Sequence, residues 1–272
     1  MTNWRFGKSS QVYQANKPGV NIVSSSSANT KGSWTEVIAT TNFISNYLWF
    51  TGAWTTGGRQ YLVDIAIGST GNEKTILSNL HITGSTSNTS RCGYCYAFPI
   101  YIPSGEKISV RCQSNGTSQG FWASIGLSTM SFLTLPGFNK VITYGANTGD
   151  SGGTSVDPGG TSGTKGSWVE FSAATEMNIA GILMGIGNAG NNVPGWGQGY
   201  IDIGIGASSS EKVVIPDLTH YMTYENQSRN PSQTPLIPCA IPKGSRLVVR
   251  ADSEVVDATD RLIDVILYAV CY

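Results

Sequence analysis

The chain has 272 residues, with 17 Lys+Arg balanced by 17 Asp+Glu, and charged residues make up only 12% of it. Balanced and sparse charge excludes a global positive field that would draw the chain to nucleic acid or anionic lipid. The sequence has no run of 18 apolar residues that could serve as a membrane span. Glycine (33), serine (32) and threonine (26) together form a third of the chain, which disfavours helical bundles and coiled coils, while 40% apolar residues can still build a core. These features predict an all-β protein.

The first residues, Met1 to Lys8, lack the apolar run of a signal peptide, so synthesis and folding in a cytoplasm are expected. Residues 1–30 carry Trp4, Phe6, Tyr13, Val20 and Ile22 but no strand long enough for a domain of their own. They read as an N-terminal arm that orders on a partner, with Trp4, Phe6 and Tyr13 as the anchor.

From residue 31 the chain repeats itself. Lys31-Gly32-Ser33-Trp34 returns as Lys165-Gly166-Ser167-Trp168. The run Val63-Asp64-Ile65-Ala66-Ile67-Gly68 returns as Ile201-Asp202-Ile203-Gly204-Ile205-Gly206, and Glu73-Lys74 as Glu211-Lys212. Ile102-Pro103-Ser104-Gly105 matches Ile241-Pro242-Lys243-Gly244, and Val110-Arg111 matches Val249-Arg250. The order is conserved and the offset drifts only from 134 to 139, which marks a tandem duplication over residues 31–133 and 165–272. Residues 134–164, rich in Gly, Ser and Thr, read as the linker between them, and each unit is expected to fold alone.

Within each unit the apolar period is two. Val63, Ile65 and Ile67 alternate with Asp64 and Ala66, and Ile201, Ile203 and Ile205 with Asp202 and Gly204. Short strands separated by Pro/Gly turns predict one β-sandwich, of jelly-roll type, per repeat. The succession Lys-Gly-Ser-Trp, Val-Asp-Ile-x-Ile-Gly, Glu-Lys, Ile-Pro-x-Gly and Val-Arg resembles a β-sandwich module in structural proteins of tailed bacteriophages. That resemblance implies a place on the outside of a virion, in head decorations, head fibres or tail appendages.

Several motifs invite chemistry. Gly149-Asp150-Ser151-Gly152-Gly153 resembles the nucleophile loop of chymotrypsin-type proteases, which also needs a histidine base and an orienting carboxylate. Only His81 precedes it and no aspartate lies between the two, so the motif reads as linker and Ser151 as silent. Cys92-x-x-Cys95 leaves three readings open: a zinc site completed by Cys112 and His81, a disulfide, or inert thiols. Asp64 and Asp202 read as partners of Arg111 and Arg250 across a sheet, in preference to calcium ligands. No metal and no cofactor is expected.

Trp34 and Trp168 read as core. Trp49, Trp54 and Trp196 read as loop aromatics for a subunit interface or a glycan. No basic groove with interleaved aromatics suits nucleic acid. The expected function is a non-enzymatic virion surface protein, assembled in a host cytoplasm, docking on capsid or tail subunits as a homotrimer. The alternative is a tail-borne adhesin that binds a host surface glycan. An enzyme is the third reading, with two histidines and no paired acids to support it.

Overall fold

A computed structural model of the chain describes residues 13–14, 19–53, 59–83, 94–129, 140–188, 197–222, 234–254 and 262–272. Among these residues all regular structure is β-strand, and no helix is long and apolar enough to cross a membrane. The first repeat contains β1 (Tyr13–Gln14), β2 (Val20–Val23), β3 (Thr35–Ile38), β4 (Tyr47–Ala53) and β5 (Gln60–Ile67). It continues with β6 (Lys74–Thr83), β7 (Tyr94–Phe98), β8 (Ile108–Ser114) and β9 (Gly120–Ser128). One sheet runs β1-β9-β4-β7, with β2 also on β9, and the other runs β3-β8-β5-β6. This is a jelly roll.

The second repeat contains β10 (Lys140–Tyr144), β11 (Ala146–Asn147), β12 (Gly152–Val156), β13 (Val169–Ser172) and β14 (Ile179–Asn188). It ends with β15 (Gly197–Ile205), β16 (Lys212–Met222), β17 (Ile237–Ile241), β18 (Leu247–Ala251) and β19 (Ile263–Cys271). Its sheets repeat the first plan: β19 between β14 and both β10 and β12, and β13-β18-β15-β16 opposite. The tandem β-sandwich read from the sequence is the fold observed. Period-two alternation builds it, because Tyr61, Val63 and Ile65 all turn inward and are fully buried, with Tyr61 edge-on to Phe121 at 5.6 Å.

The arm and the linker need correction. Val20 and Ile22 pair with Ala123 and Phe121, and Ile22 is fully buried in the first core. The backbone of Tyr13, expected as an anchor for a partner, pairs with Leu127 of the same repeat. Trp4 and Phe6 lie outside the described residues. In the expected linker, β10 pairs with β19 over Lys140↔Cys271 to Tyr144↔Leu267, and β12 pairs with β19 over Thr154↔Val265 to Val156↔Ile263. Ile22 and Val156 occupy the same place in the two jelly rolls. Val141, Ile142, Tyr144 and Val156 of the expected linker are buried in the two cores, but the Gly, Ser, Thr and Asn residues around them give the segment the composition of a spacer.

The repeats also do not stand apart. β19 is buried on both faces: Val265, Leu267 and Ala269 fill the second core, while Ile266, Tyr268 and Val270 join the apolar cluster of the first repeat with Leu183 and Val141. Tyr268 enters the open side of the first jelly roll between β6 and β7, with its ring 5.4 Å from Tyr96 and 6.0 Å from Phe98. Its hydroxyl accepts from the His81 N–H at 2.7 Å and donates to the Asn79 carbonyl at 3.2 Å, so it satisfies free backbone groups of the β6 edge. A Cβ on Gly187 would overlap the His81 ring, so only glycine permits this approach. The two units thus share an apolar contact, which the expectation of separate folding did not include.

Candidate functional site

The residues that repeat most faithfully in sequence meet on the outer face of each β3-β8-β5-β6-type sheet. Asp64 and Arg111 are register partners, and Arg111 Nε donates to Asp64 Oδ2 at 2.9 Å. The pair Asp202 and Arg250 has the same register and the same 2.9 Å bond. The Asp–Arg pair foreseen from sequence is present, but it is not an exposed one, since Asp64 and Asp202 are 4% and 3% exposed.

The sequence did not reveal the third member. Lys31 Nζ donates to Asp64 Oδ1 at 2.7 Å, Asn79 Oδ1 at 2.9 Å and the Leu62 carbonyl at 3.0 Å. Asp64 also accepts from the Asn79 N–H at 3.0 Å, and Asp202 from the Asp217 N–H at 3.0 Å. Both donors sit at bulges of β6 and β16 with positive φ, 56° and 50°, a conformation that Asn and Asp tolerate best among residues with side chains.

The Lys, Gly and Trp of Lys-Gly-Ser-Trp each have a cause. Gly32 and Gly166 donate to the Cys112 and Ala251 carbonyls at 2.8 Å while another backbone passes close by; a Cβ on Gly32 would lie 2.5 Å from the Val23 carbonyl. Trp34 and Trp168, expected in the core, lie half-buried on the outer face under the guanidinium groups of Arg111 and Arg250, at 4.3 and 4.4 Å. Burial pushes the Lys31 ammonium below its usual range, and Asp64 only partly restores it. At Asp202 burial acts upward, but the Asp217 amide, Arg250 and Lys165 together hold the carboxyl below its usual range. Asp64 and the Lys31 ammonium thus meet bonding partners on several sides. The group is a latch that ties the β2–β3 connection to the sheet.

The two latches differ in their surroundings, since the first lies against the other repeat. Around Lys165 stand Asp202 and Asp217 at 3.1 Å and Asp252 at 3.5 Å. The first repeat has the amides Asn79 and Gln113 in place of Asp217 and Asp252. There the second repeat covers the surface, and an amide costs less to bury than a carboxylate. Gln113 Nε2 donates across the junction to the Thr148 carbonyl at 2.8 Å and to Ser151 Oγ at 3.0 Å. Beside this contact a cleft of about 800 Å³ opens between the repeats, lined by Lys31, Asp64, Arg111, Gln113, Thr143 and Lys140.

Ser151 therefore belongs to this junction and not to a free linker. Its hydroxyl is fully buried and donates to Asn29 Oδ1 at 2.8 Å. Ser151→Ala is expected to lower stability by about 1–2 kcal/mol in thermal melts, because Gln113 and Asn29 lose a partner. A fluorophosphonate probe is expected to leave Ser151 unlabelled in folded protein; stoichiometric labelling would contradict this structural role.

Cys112 faces the first core, where burial pushes its thiol up to about 12. His81, the register partner of Leu62, lies on the opposite sheet face from Cys112, the partner of Val63. The two cannot ligate one ion. Cys95 is an exposed free thiol and Cys92 lies outside the described residues. Trp54 and Trp196 also lie outside them. Trp49 belongs to β4, not to a loop: half-buried on the outer sheet face, it packs edge-on against Tyr47 at 5.1 Å.

Burial alone pushes His81 down to about 4 from 6.5. The unfolded chain therefore binds the proton first, and the stability present above pH 6.5 declines as the pH falls to 4, by roughly 3 kcal/mol. Burial pushes Asp264 up to about 6 from 3.8, with opposite sign: its contribution is present at low pH and lost as the pH rises through 6. The two largely cancel in the native chain. His81→Leu removes the first, so the gap in melting temperature between variant and native protein is expected to widen in favour of the variant from pH 7 to pH 4. A constant gap would contradict the burial of a neutral imidazole.

No protein-family profile matches the sequence, and no curated protein matches it. Among solved structures, two crystal forms of PNGF-II align over 93% and 96% of this chain at 9% identity, with TM-scores of 0.42 and 0.41. The chain spans 65% and 66% of their length. The tandem CBM22-1–CBM22-2 domain of Paenibacillus barcinonensis Xyn10C aligns over 98% of this chain and 100% of that one, at 10% identity and a TM-score of 0.28.

Proposed function

We propose that the protein is a non-enzymatic structural component of a tailed-phage virion surface, which decorates or extends the capsid or tail as a homotrimer after assembly in the host cytoplasm. The observation that supports this reading is the coupling of two jelly rolls into one body, with the aromatic residues Tyr47, Trp49 and Trp122 left on an outer sheet face. Such a body offers rigid faces for contact with capsid or tail subunits, and the repeated polar residues are spent on its own latches. Antibody or gold labelling of intact particles, viewed by electron microscopy, tests the proposal. Regular label on head or tail is expected, and its absence from purified particles overturns the reading.

The second reading is a host surface glycan as ligand. It is favoured by Trp122, 39% exposed on that same face beside its register partner Asn21, a pair with the chemistry to stack on and hydrogen-bond a sugar ring. A glycan array with native protein and Trp122→Ala tests it: binding lost in the variant supports this reading, and no binding by native protein ends it.

A further inference from the structure

We propose that copies of this chain associate head to tail, the outer β9-β4 face of the first jelly roll seating on the β16 side of the second jelly roll in another copy. The contact would repeat, between chains, the one already made within the chain. Register fixes the correspondence. Val20 pairs with Ala123 as Thr154 pairs with Val265, so Gly126 stands where Tyr268 stands, and Ser124 where Ile266 stands. Trp49 pairs with Gly126 as Leu183 pairs with Tyr268. Trp49 therefore holds the place of Leu183, which is buried against the first repeat. Among the described residues, the same sheet face is thus covered by the other repeat in one jelly roll and not in the other.

Both halves of the proposed contact expose large apolar side chains. Trp122 and Val23 are 39% and 42% exposed on the first-repeat face, where Trp49 lies over Gly126. On the receiving side, Tyr200 and Val213 are 38% and 43% exposed. They stand at the places of Leu62, which is fully buried, and Thr75, which lines the cleft under the second repeat. Pro216 and Asp217 occupy the β16 places of Ser78 and Asn79, and they suppress strand-to-strand pairing at this edge. They do not block a sheet face from docking on it, which is the mode the chain already uses. Lacking the Tyr268 hydroxyl and the Ser78–Thr143 bond, the contact between chains is weaker than the one within the chain.

A heterologous contact of this kind closes into a ring or runs on as a filament. Only the choice of a three-membered ring rests on the homotrimer reading above. Native mass spectrometry and sedimentation of the full chain at rising concentration test the contact, with Trp122→Glu and Val213→Glu as variants at exposed positions. Native protein is expected to form species above monomer mass, and each variant alone to remain monomeric, because every copy then lacks one half of the contact. Mixed in equal amounts, the variants are expected to form a dimer, because Val213→Glu keeps the intact first-repeat face and Trp122→Glu the intact receiving side. A native chain that stays monomeric overturns the proposal. So does a Val213→Glu variant that assembles as the native chain does, since that outcome means like faces meet like. Particle labelling is independent of both results.

Discussion

Tyr268→Ala is expected to be the most damaging single substitution at the junction, lowering stability by about 3–5 kcal/mol. The side chain is fully buried and fills the gap between β6 and β7 against Tyr96 and Phe98. Its removal leaves a cavity on the side where the first jelly roll is open, and leaves the His81 N–H without its acceptor. Tyr268→Phe keeps the packing and loses only the hydroxyl, so about 1–2 kcal/mol is expected. Calorimetry of the native protein is expected to show one coupled transition, and of Tyr268→Ala two transitions or an early broad one. If Tyr268→Ala melts within a degree of the native chain, the junction contributes little and the two jelly rolls are independent after all.

The second large effect is expected at the latches, and it should be unequal. Asp64→Ala strands Lys31 and Arg111 with no other carboxylate in the group, which costs about 2–4 kcal/mol once the 32% exposure of the Arg111 side chain is allowed for. Asp202→Ala leaves Lys165 with Asp217 and Asp252, both already within ion-pair distance, and is expected to cost about 1 kcal/mol less. Denaturant melts of the two variants measure the difference directly. Equal losses would mean that the neighbouring carboxylates do not compensate, and a larger loss at Asp202 would reverse the assignment. Trp34→Ala provides a companion measurement, since it removes the surface under Arg111 without removing a charge.

Much of the architecture was legible before any coordinate. The duplication, the two sandwiches, the inward row Val63–Ile65 and the Asp64–Arg111 pair all follow from patterns that act within a strand or between register neighbours. Alternation sends successive side chains to opposite faces, and a sheet face buried in one repeat is buried in its copy. The sequence could not say which outer faces stay bare, because that depends on contacts between strands far apart in the chain. Ile266, Tyr268 and Val270 read as ordinary members of an apolar strand until the first repeat is seen to cover them. Residues 140–156 read as spacer because Val141, Ile142, Tyr144 and Val156 stand among Gly, Ser, Thr and Asn, and only pairing with β19 carries them into the cores. Lys31 lies 33 residues from Asp64, and only the path of the connection across the sheet brings its ammonium to that carboxylate. Local chemistry determined the strands; long-range packing decided which of their faces water still reaches.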